Sequence, residues 1–181
     1  MYYMNMQLSD EEIVKLVCSG KIQEFSEIVE RYQRKLLRYV RFIINGTTDS
    51  EDIVQDTFIR AYQNLQGFNQ KLKFSSWIYR IAHNQAVNYI RKKRPVYFNR
   101  DDWQKYESIN YNHLPNHTQK IISKHDLALL LSRLPMKYKE PVELYYIEGY
   151  TYSQISDILR LPQGTVGTRI HRAIKLLRYN N

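Results

Sequence analysis

Residues 150–177, YTYSQISDILRLPQGTVGTRIHRAIKLL, have the pattern of two short helices joined by a turn. Thr151 and Gln154 have the T-x-x-Q spacing of a capping box, which is a local signal for the start of a helix. Pro162 and Gly164 then interrupt the helical period before a second amphipathic helix begins. This order predicts a helix-turn-helix, the motif whose second helix lies in the major groove of DNA.

The second helix of the pair divides into an apolar face and a polar, cationic face. At about 100° per residue, Val166, Ile170 and Leu177 fall on one side, as a core-facing stripe requires. We expect the opposite side to contact DNA through Gln163, Thr165, Thr168, Arg169, His171, Arg172 and Lys175. The alternative is an αα-hairpin with a solvated basic face, because short helix pairs are common.

The overall composition limits the possible functions. The chain of 181 residues has a formal net charge of +9, which favours an anionic partner such as nucleic acid or a membrane surface. No run approaches the roughly 18 apolar residues that span a bilayer, and the N-terminus lacks the features of a signal peptide. Cys18 is the only cysteine, and the five histidines have no metal-ligand spacing. We therefore expect a cytoplasmic protein that binds neither a metal nor a cofactor.

The positive charge is concentrated between residues 57 and 100, where no Asp or Glu occurs and nine Lys and Arg do. Aromatic residues alternate with these cations, an arrangement that suits single-stranded or locally melted nucleic acid. The alternative is that the rings belong to the core, and we expect half or more of them to be buried. An acidic patch precedes this segment and consists of Asp49, Glu51, Asp52 and Asp56.

The remaining patterns are helical, and strand signals are almost absent. Ser9 with Glu12 and Thr48 with Glu51 form two further capping boxes. Helices are predicted from Ser9 to Ser19, over 22–44, from Thr48 to Gly67, over 75–93, over 121–134 and over 140–148. Residues 96–120 have no clean period and are interpreted as a flexible linker. The prediction is an all-α protein with a helical domain over 1–95 and a second, helix-turn-helix domain over 121–181.

The order of an acidic helix, a basic and aromatic helix, a linker and a helix-turn-helix resembles the extracytoplasmic-function (ECF) sigma factors of the sigma-70 family. Residues 49–65, DSEDIVQDTFIRAYQNL, resemble region 2.2 of that family. Residues 74–94, FSSWIYRIAHNQAVNYIRKKR, resemble regions 2.3 and 2.4. Residues 134–178 resemble region 4. The resemblance covers most of the chain apart from the N-terminal tail and the linker.

The resemblance implies an RNA polymerase sigma factor that directs core polymerase to specific promoters and helps to melt the −10 element. Region 2.2 of the family docks on the β′ clamp helices, and the matching residues here are Asp49, Asp52, Gln55 and Asp56. The following loop and helix read the melted −10 strand, and one base enters a pocket formed largely by the loop over 67–74. The matching residues are Phe68, Asn69, Lys71, Lys73, Phe74, Trp77, Arg80, Asn84, Asn88 and Arg91.

Further partners also follow from the resemblance. Region 4 of the family binds the −35 element as duplex DNA, which agrees with the cationic face derived above. The polymerase β subunit is a further implied contact. An anti-sigma factor, typically membrane-anchored in proteins that resemble this one, would hold the chain inactive.

Two positions depart from the family pattern. Gly167 occurs where many relatives have a lysine or another side chain, which removes a phosphate contact and lowers the helix propensity by roughly 1 kcal/mol. Trp77 is followed by Ile78, so the tandem tryptophan wedge of housekeeping sigma factors is absent. We therefore expect strand opening to rely on a single ring and on base capture in the loop.

Three other functions compete with this interpretation. A stand-alone helix-turn-helix regulator would explain residues 151–177 but leaves the acidic helix and the basic, aromatic segment without a role. An RNA-binding module would explain residues 71–94 but not the recognition helix. An enzyme is least favoured, and its one form worth considering is a magnesium-dependent nuclease built on residues 49–56.

Overall fold

The computed structural model describes residues 8–46, 48–93 and 134–179, and all regular structure in these ranges is helical. The α-helices are α1 (Asp10–Cys18), α2 (Phe25–Ile44), α3 (Ser50–Gln63), α4 (Phe74–Lys93), α5 (Met136–Val142), α6 (Tyr152–Leu159) and α7 (Gln163–Tyr179). This confirms the prediction of an all-α protein with a C-terminal helix-turn-helix. The predicted linker over 96–120 and almost all of the helix predicted over 121–134 lie outside the described residues.

Two of the three predicted capping boxes are present. The Ser9 hydroxyl accepts the Glu12 N–H at 3.3 Å, and the Glu12 carboxylate accepts the Ser9 N–H at 2.7 Å. At the start of α6, the Thr151 hydroxyl accepts the Gln154 N–H at 3.3 Å, and the Gln154 side-chain oxygen accepts the Thr151 N–H at 2.9 Å. These bonds satisfy N–H groups that have no partner inside the helix.

The capping box predicted at Thr48 and Glu51 is wrong. Helix α3 begins at Ser50 after Asp49, without a side-chain cap. The Asp49 carboxylate instead accepts hydrogen bonds from Tyr89 and from Lys93, 2.9 Å away, at the end of α4. A tertiary contact thus takes the place of the local one.

Helices α1–α4 form the N-terminal domain around a core of aliphatic and aromatic side chains. Helix α2 buries one apolar face in this core, which includes Ile28, Tyr32, Leu36, Val40 and Ile43. Helix α2 ends at Asn45, whose φ of 51° is left-handed and stops the helix just before Gly46. Helix α4 contributes the fully buried Phe74, Ile78 and Tyr79.

The C-terminal domain consists of α5–α7, and its first helix differs from the prediction. The helix expected over 140–148 is instead α5, which contains Pro141, followed by a π-helical turn over Glu143–Ile147. Because proline has no N–H to donate, Pro141 weakens the helical ladder at this point. The turn between α6 and α7 is also shifted: it lies at Arg160–Pro162, and Gly164 belongs to α7.

The two domains pack against one another, which the sequence patterns do not indicate. Helix α4 lies along α6, and the rings of Tyr79 and Tyr150 are 4.9 Å apart. The ammonium group of Lys139 lies 4.5 Å from the ring centre of Phe42, so this cation–π contact also joins α5 to α2. The buried side chains of both domains therefore form one continuous cluster. Among the helices of the described ranges, none combines the length and apolarity that a bilayer crossing requires.

Glu143 is an ionisable group placed at this interface. Its side chain is buried, and burial, reinforced by the nearby charge of Glu148, raises its pKa to about 7. Arg38 and Lys139 act in the opposite direction, but they do not offset the loss of hydration. The folded chain therefore binds a proton at Glu143 more tightly than the unfolded chain does.

We predict that Glu143→Gln stabilises the protein at pH 8 but not at pH 5. For an acid whose folded pKa is raised from 4.5 to about 7, the favourable contribution is present below 4.5 and is lost as the pH rises through 7. Gln removes this dependence because it does not ionise. Thermal unfolding of the variant and the wild type at both pH values would measure it, with the exposed Glu30→Gln as control. A difference that does not depend on pH would contradict the assignment.

Candidate nucleic-acid and protein interfaces

The outer face of α3 carries the predicted acidic group. Asp52, Gln55 and Asp56 are exposed. The side of the helix that packs against α2 and α4 is formed by Ile53, Val54 and Thr57, which are buried. Asp49 has a different role. The hydrogen bonds that it accepts from Tyr89 and Lys93 lower the pKa of its carboxyl group and fix the start of α3 to the end of α4.

Two exposed apolar side chains extend this face, and the sequence patterns did not single them out. Ile59 is 54% exposed and lies one turn after Asp56 on the same helix. Tyr62 is 40% exposed and packs edge-on against Phe25 with ring centres 5.3 Å apart. The spacing of Asp52, Asp56 and Ile59 at i, i+4 and i+7 was the available signal. Apolar groups beside charged ones are typical of a protein interface.

The loop between α3 and α4 is supported by an aromatic cluster. Phe68 and Phe74 are buried, and Trp77 lies 5.1 Å and 5.5 Å from them, ring centre to ring centre. The burial of these two phenylalanines differs from the prediction that they contact DNA. The two rings pack edge-on with centres 5.7 Å apart, and Phe74 also packs edge-on against Tyr32 of α2 at 5.9 Å, so these rings support the loop from inside the domain.

The polar residues of the same loop are exposed. Asn69, Lys71 and Lys73 all face solvent, and the Asn69 side chain accepts the Lys71 N–H at 3.0 Å. This local bond sets the turn that presents the two lysines. Among the described aromatic rings of the basic segment, the buried ones are Phe58, Phe68, Phe74 and Tyr79. This agrees, for the described rings, with the expectation that at least half are buried.

Helix α4 divides its predicted DNA-facing residues into two groups. Asn84, Asn88 and Arg91 are exposed, and Trp77 is partly exposed. Arg80 lies instead toward the C-terminal domain, where burial, followed by the nearby charge of Arg160, lowers its pKa. One cation of the predicted DNA-binding strip is thus partly covered by the other domain.

The predicted recognition helix, α7, has the two faces that its sequence indicates. Val166, Ile170, Ala173 and Leu177 are buried. On the other side, Gln163, Thr168 and His171 are exposed, while Thr165, Arg172 and Lys175 are partly exposed. Arg169 lies on the flank toward α5, and burial lowers its pKa.

Gly167, at the position where many relatives have a lysine, is covered by the ring of Tyr152. A Cβ atom built at this position would lie 3.4 Å from Cε2 of Tyr152, so the tyrosine ring of α6 lies directly over the glycine. Tyr152 in turn packs against Tyr145 with ring centres 5.1 Å apart. The departure from the family pattern is therefore matched by an aromatic contact between the two helices of the motif.

The acidic residues of α3 extend along the helix. In the three described ranges, no group of three or more His, Cys, Asp or Glu side chains is arranged to hold a metal ion. The described residues thus form three surfaces. The first is the acidic and apolar face of α3, the second is the cationic loop and α4 beside it, and the third is the cationic face of α7. These surfaces suit one protein partner and two nucleic-acid contacts.

Comparisons with known proteins agree with this division. The family description "Sigma-70 region 2" matches residues 28–96, and "Sigma-70, region 4" matches residues 124–177. The chain is similar to the ECF RNA polymerase sigma factor SigW of Bacillus subtilis, with 33% identity over 96% of this chain and 97% of that protein. It is 32% identical to the ECF RNA polymerase sigma-E factor of Haemophilus influenzae, with 96% of each chain covered.

Solved structures resemble the fold over most of its length. The structure of CnrH in complex with the cytosolic domain of CnrY superimposes with a TM-score of 0.69 at 25% identity, covering 94% of this chain and 95% of that one. The sigma factor RpoE of Bartonella quintana, solved with the anti-sigma factor NepR, gives a TM-score of 0.65 at 19% identity, covering 87% and 96%. The second likeness concerns the fold alone.

Proposed function

The chain belongs to the ECF group of the sigma-70 family of RNA polymerase sigma factors, and we propose how its surfaces perform that function. As a sigma factor it directs core RNA polymerase to specific promoters and helps to melt the −10 element for transcription initiation. The observation that supports this function best is the presence of three separate surfaces on one chain. A stand-alone helix-turn-helix regulator would use only one of them.

The exposed face of α3 is the proposed contact with the β′ clamp helices. Asp52, Gln55 and Asp56 supply the polar and negative groups, and Ile59 supplies an apolar contact at the same face. Complementary charge guides association and fixes the docking geometry, whereas desolvated apolar side chains contribute much of the affinity. Asp49 has an indirect role, because its contacts with α4 hold the helix in place.

The loop before α4 and the exposed strip of α4 are the proposed −10 surface. Lys71, Lys73 and Arg91 would neutralise phosphates, while Asn84 and Asn88 offer donors and acceptors to the edges of unpaired bases. Trp77 is partly exposed and is the ring most able to stack on a base. Phe68 and Phe74 support the base pocket from inside the domain.

Helix α7 is the proposed reader of the −35 duplex. The side chains nearest its N-terminus and along its outer face are Gln163, Thr168, His171 and Arg172. A recognition helix contacts base edges mainly through its N-terminal part, and arginine reads guanine by a bidentate contact in the major groove. Lys175 is placed to contact the phosphate backbone.

The proposed partners are core polymerase, promoter DNA and an anti-sigma factor. The likeness to CnrH, which was solved in complex with the cytosolic domain of CnrY, supports a further protein partner of this kind. The proposed place of action is the cytoplasm, where polymerase and promoter DNA meet. The proposed role is that of a non-enzymatic initiation factor, without a cofactor of its own.

Run-off transcription from a genomic promoter library tests this function. Core polymerase with the protein should give discrete transcripts that core polymerase alone does not give. Electrophoretic mobility of an identified promoter fragment should then show tight binding only when protein and core are both present. Tight, sequence-specific binding by the free protein, unchanged by core, would favour the stand-alone regulator instead.

We predict that Asp56→Arg weakens binding to core polymerase without unfolding the chain. The residue is exposed, so the reversal removes an attraction to a basic partner and adds a repulsion, while the core is left intact. Titration of fluorescently labelled protein with core polymerase would measure the loss. Glu30→Arg makes the same charge change at an exposed position of α2 and should retain affinity. Equal effects from the two variants would contradict the proposed face.

We predict that Arg172→Ala lowers the affinity of the holoenzyme for its promoter by about 1–3 kcal/mol if the guanidinium reads a base. A contact to phosphate alone would instead weaken all sequences similarly and lower the salt slope by about one. Promoter binding at several salt concentrations separates the two. Arg34→Ala removes the same charge from an exposed position of α2 and is the control. No change in affinity or salt slope for Arg172→Ala would show that the face is misassigned.

A further inference from the structure

A cavity of about 340 Å³ lies where α2, the start of α4 and the start of α6 meet. Its polar lining includes Lys35 and Arg38 of α2, Ser75 of α4, and Tyr150 and Gln154 of the C-terminal domain. None of these five residues belongs to the proposed polymerase or DNA surfaces. The volume is at the lower end of the range of small-molecule sites, and both domains contribute to the wall.

Lys35 is the first cation of the cavity. Its side chain is exposed, and its ammonium group lies 5.5 Å from the ring centre of Tyr32, one turn earlier on α2. Among the described residues, no carboxylate is within ion-pair distance of this ammonium group. The face of an aromatic ring attracts a cation without neutralising its charge. Lys35 therefore offers the cavity a full positive charge.

Arg38 is the second cation, and it pairs with the one carboxylate among the lining residues. Its Nε and Nη2 lie 2.9 and 2.8 Å from the same oxygen of Glu148, and the other oxygen accepts the Tyr79 hydroxyl at 2.6 Å. The N–H groups on Nη1 take no part in these bonds. The Glu148 side chain is only 2% exposed, whereas that of Arg38 is 53% exposed. The lining therefore has a formal charge of +1, from Lys35 and Arg38 against Glu148, and its negative group is covered.

Three uncharged donors complete the lining. Ser75 has a hydroxyl group, and so does Tyr150, whose pKa is raised first by burial and then by the charge of Glu148. The Tyr150 hydroxyl therefore stays protonated at neutral pH and can donate a hydrogen bond. The Gln154 side-chain oxygen accepts the Thr151 N–H at 2.9 Å, which leaves its NH2 group as a donor. Donors from both domains thus line one space.

These donors match a phosphate group better than a carboxylate. Five donor-bearing side chains exceed the roughly four lone-pair positions of a planar carboxylate, whereas a phosphate monoester has three strong acceptor oxygens. Arginine and lysine are also the usual partners of phosphate in proteins. We propose that this cavity binds a small molecule that carries a phosphate group. The site is separate from the proposed DNA surfaces and does not depend on their assignment.

Titration of the full chain with adenosine monophosphate (AMP), inorganic phosphate and adenosine tests the ligand class. Calorimetry at a constant ionic strength of about 0.15 M limits non-specific attraction to the basic chain. AMP should bind at one site, inorganic phosphate should compete with it, and adenosine should not bind.

The two phosphate compounds distinguish the possible sources of the ligand. Equal affinities would identify free phosphate as a sufficient ligand, and tighter binding of AMP would identify a phosphorylated organic ligand; both results support the site. An absence of binding by both compounds would overturn the proposal. Binding of adenosine as tight as that of AMP would overturn it as well, because the phosphate group would then contribute nothing.

Lys35→Gln tests the first cation, and Arg34→Gln is its matched control. Both positions are exposed and adjacent on α2, and each variant lowers the formal net charge from +9 to +8 by removing one positive charge. Lysine, arginine and glutamine have similar helix propensities, so both variants should retain the fold. Arg34 does not line the cavity. Lys35→Gln should weaken the binding of AMP at least about tenfold, because it removes a charge-assisted hydrogen bond, and Arg34→Gln should stay within about twofold of the wild type. Equal losses in the two variants would overturn the proposal.

The backbone amide signals of the isotope-labelled chain locate the bound ligand. In proton–nitrogen correlation spectra, AMP should shift the signals of Lys35, Ser75 and Gln154 and leave those of Lys71 and His171 in place. Shifts confined to α7 and the loop over 67–74 would show that the anion binds the proposed DNA surfaces, and would overturn the proposal. The measurement requires neither polymerase nor promoter, so its outcome is independent of the sigma-factor assignment.

Discussion

The arrangement of the two domains depends on two glutamate side chains that are buried between them. Each of these carboxylates needs hydrogen-bond partners to replace the water that it loses on folding. Glu140 and Glu148 lie in the interface, and each is bound by groups from α2 and α4. Because an isolated buried charge is strongly unfavourable, these contacts determine which faces of the two domains can meet. The ring contact between Tyr79 and Tyr150 then fills the apolar part of the same interface.

This constraint also determines which surfaces remain available to partners. The acidic and apolar face of α3 is exposed, whereas Arg80 on α4 is partly covered. The proposed polymerase-binding face of α3 is therefore accessible while the two domains are packed together, whereas α4 is partly covered.

Within each domain, local sequence patterns predicted most of the structure. The capping boxes at Ser9 and Thr151 and the two faces of α7 are present as expected, because helix period and hydrogen-bond capping act between residues a few positions apart. The exposure of Asp52, Gln55 and Asp56 agrees with the polar face that the family resemblance implied. The aromatic residues before α4 were harder to place, since a ring suits both a core and a base stack. Packing decided that Phe68 and Phe74 are buried.

The sequence by itself thus determined most of the described helices, their amphipathic faces and the three surfaces that are proposed to carry the function. Only the tertiary structure decided that the Asp49 carboxylate bonds to α4 instead of capping α3, and that Arg80 and Arg169 lie near the domain contact. It also decided that Glu140 meets Tyr39, 101 positions away. The physical reason is that hydrogen bonds and ion pairs between distant residues depend on how helices pack, and no local period records which distant side chain will replace water around a buried charge.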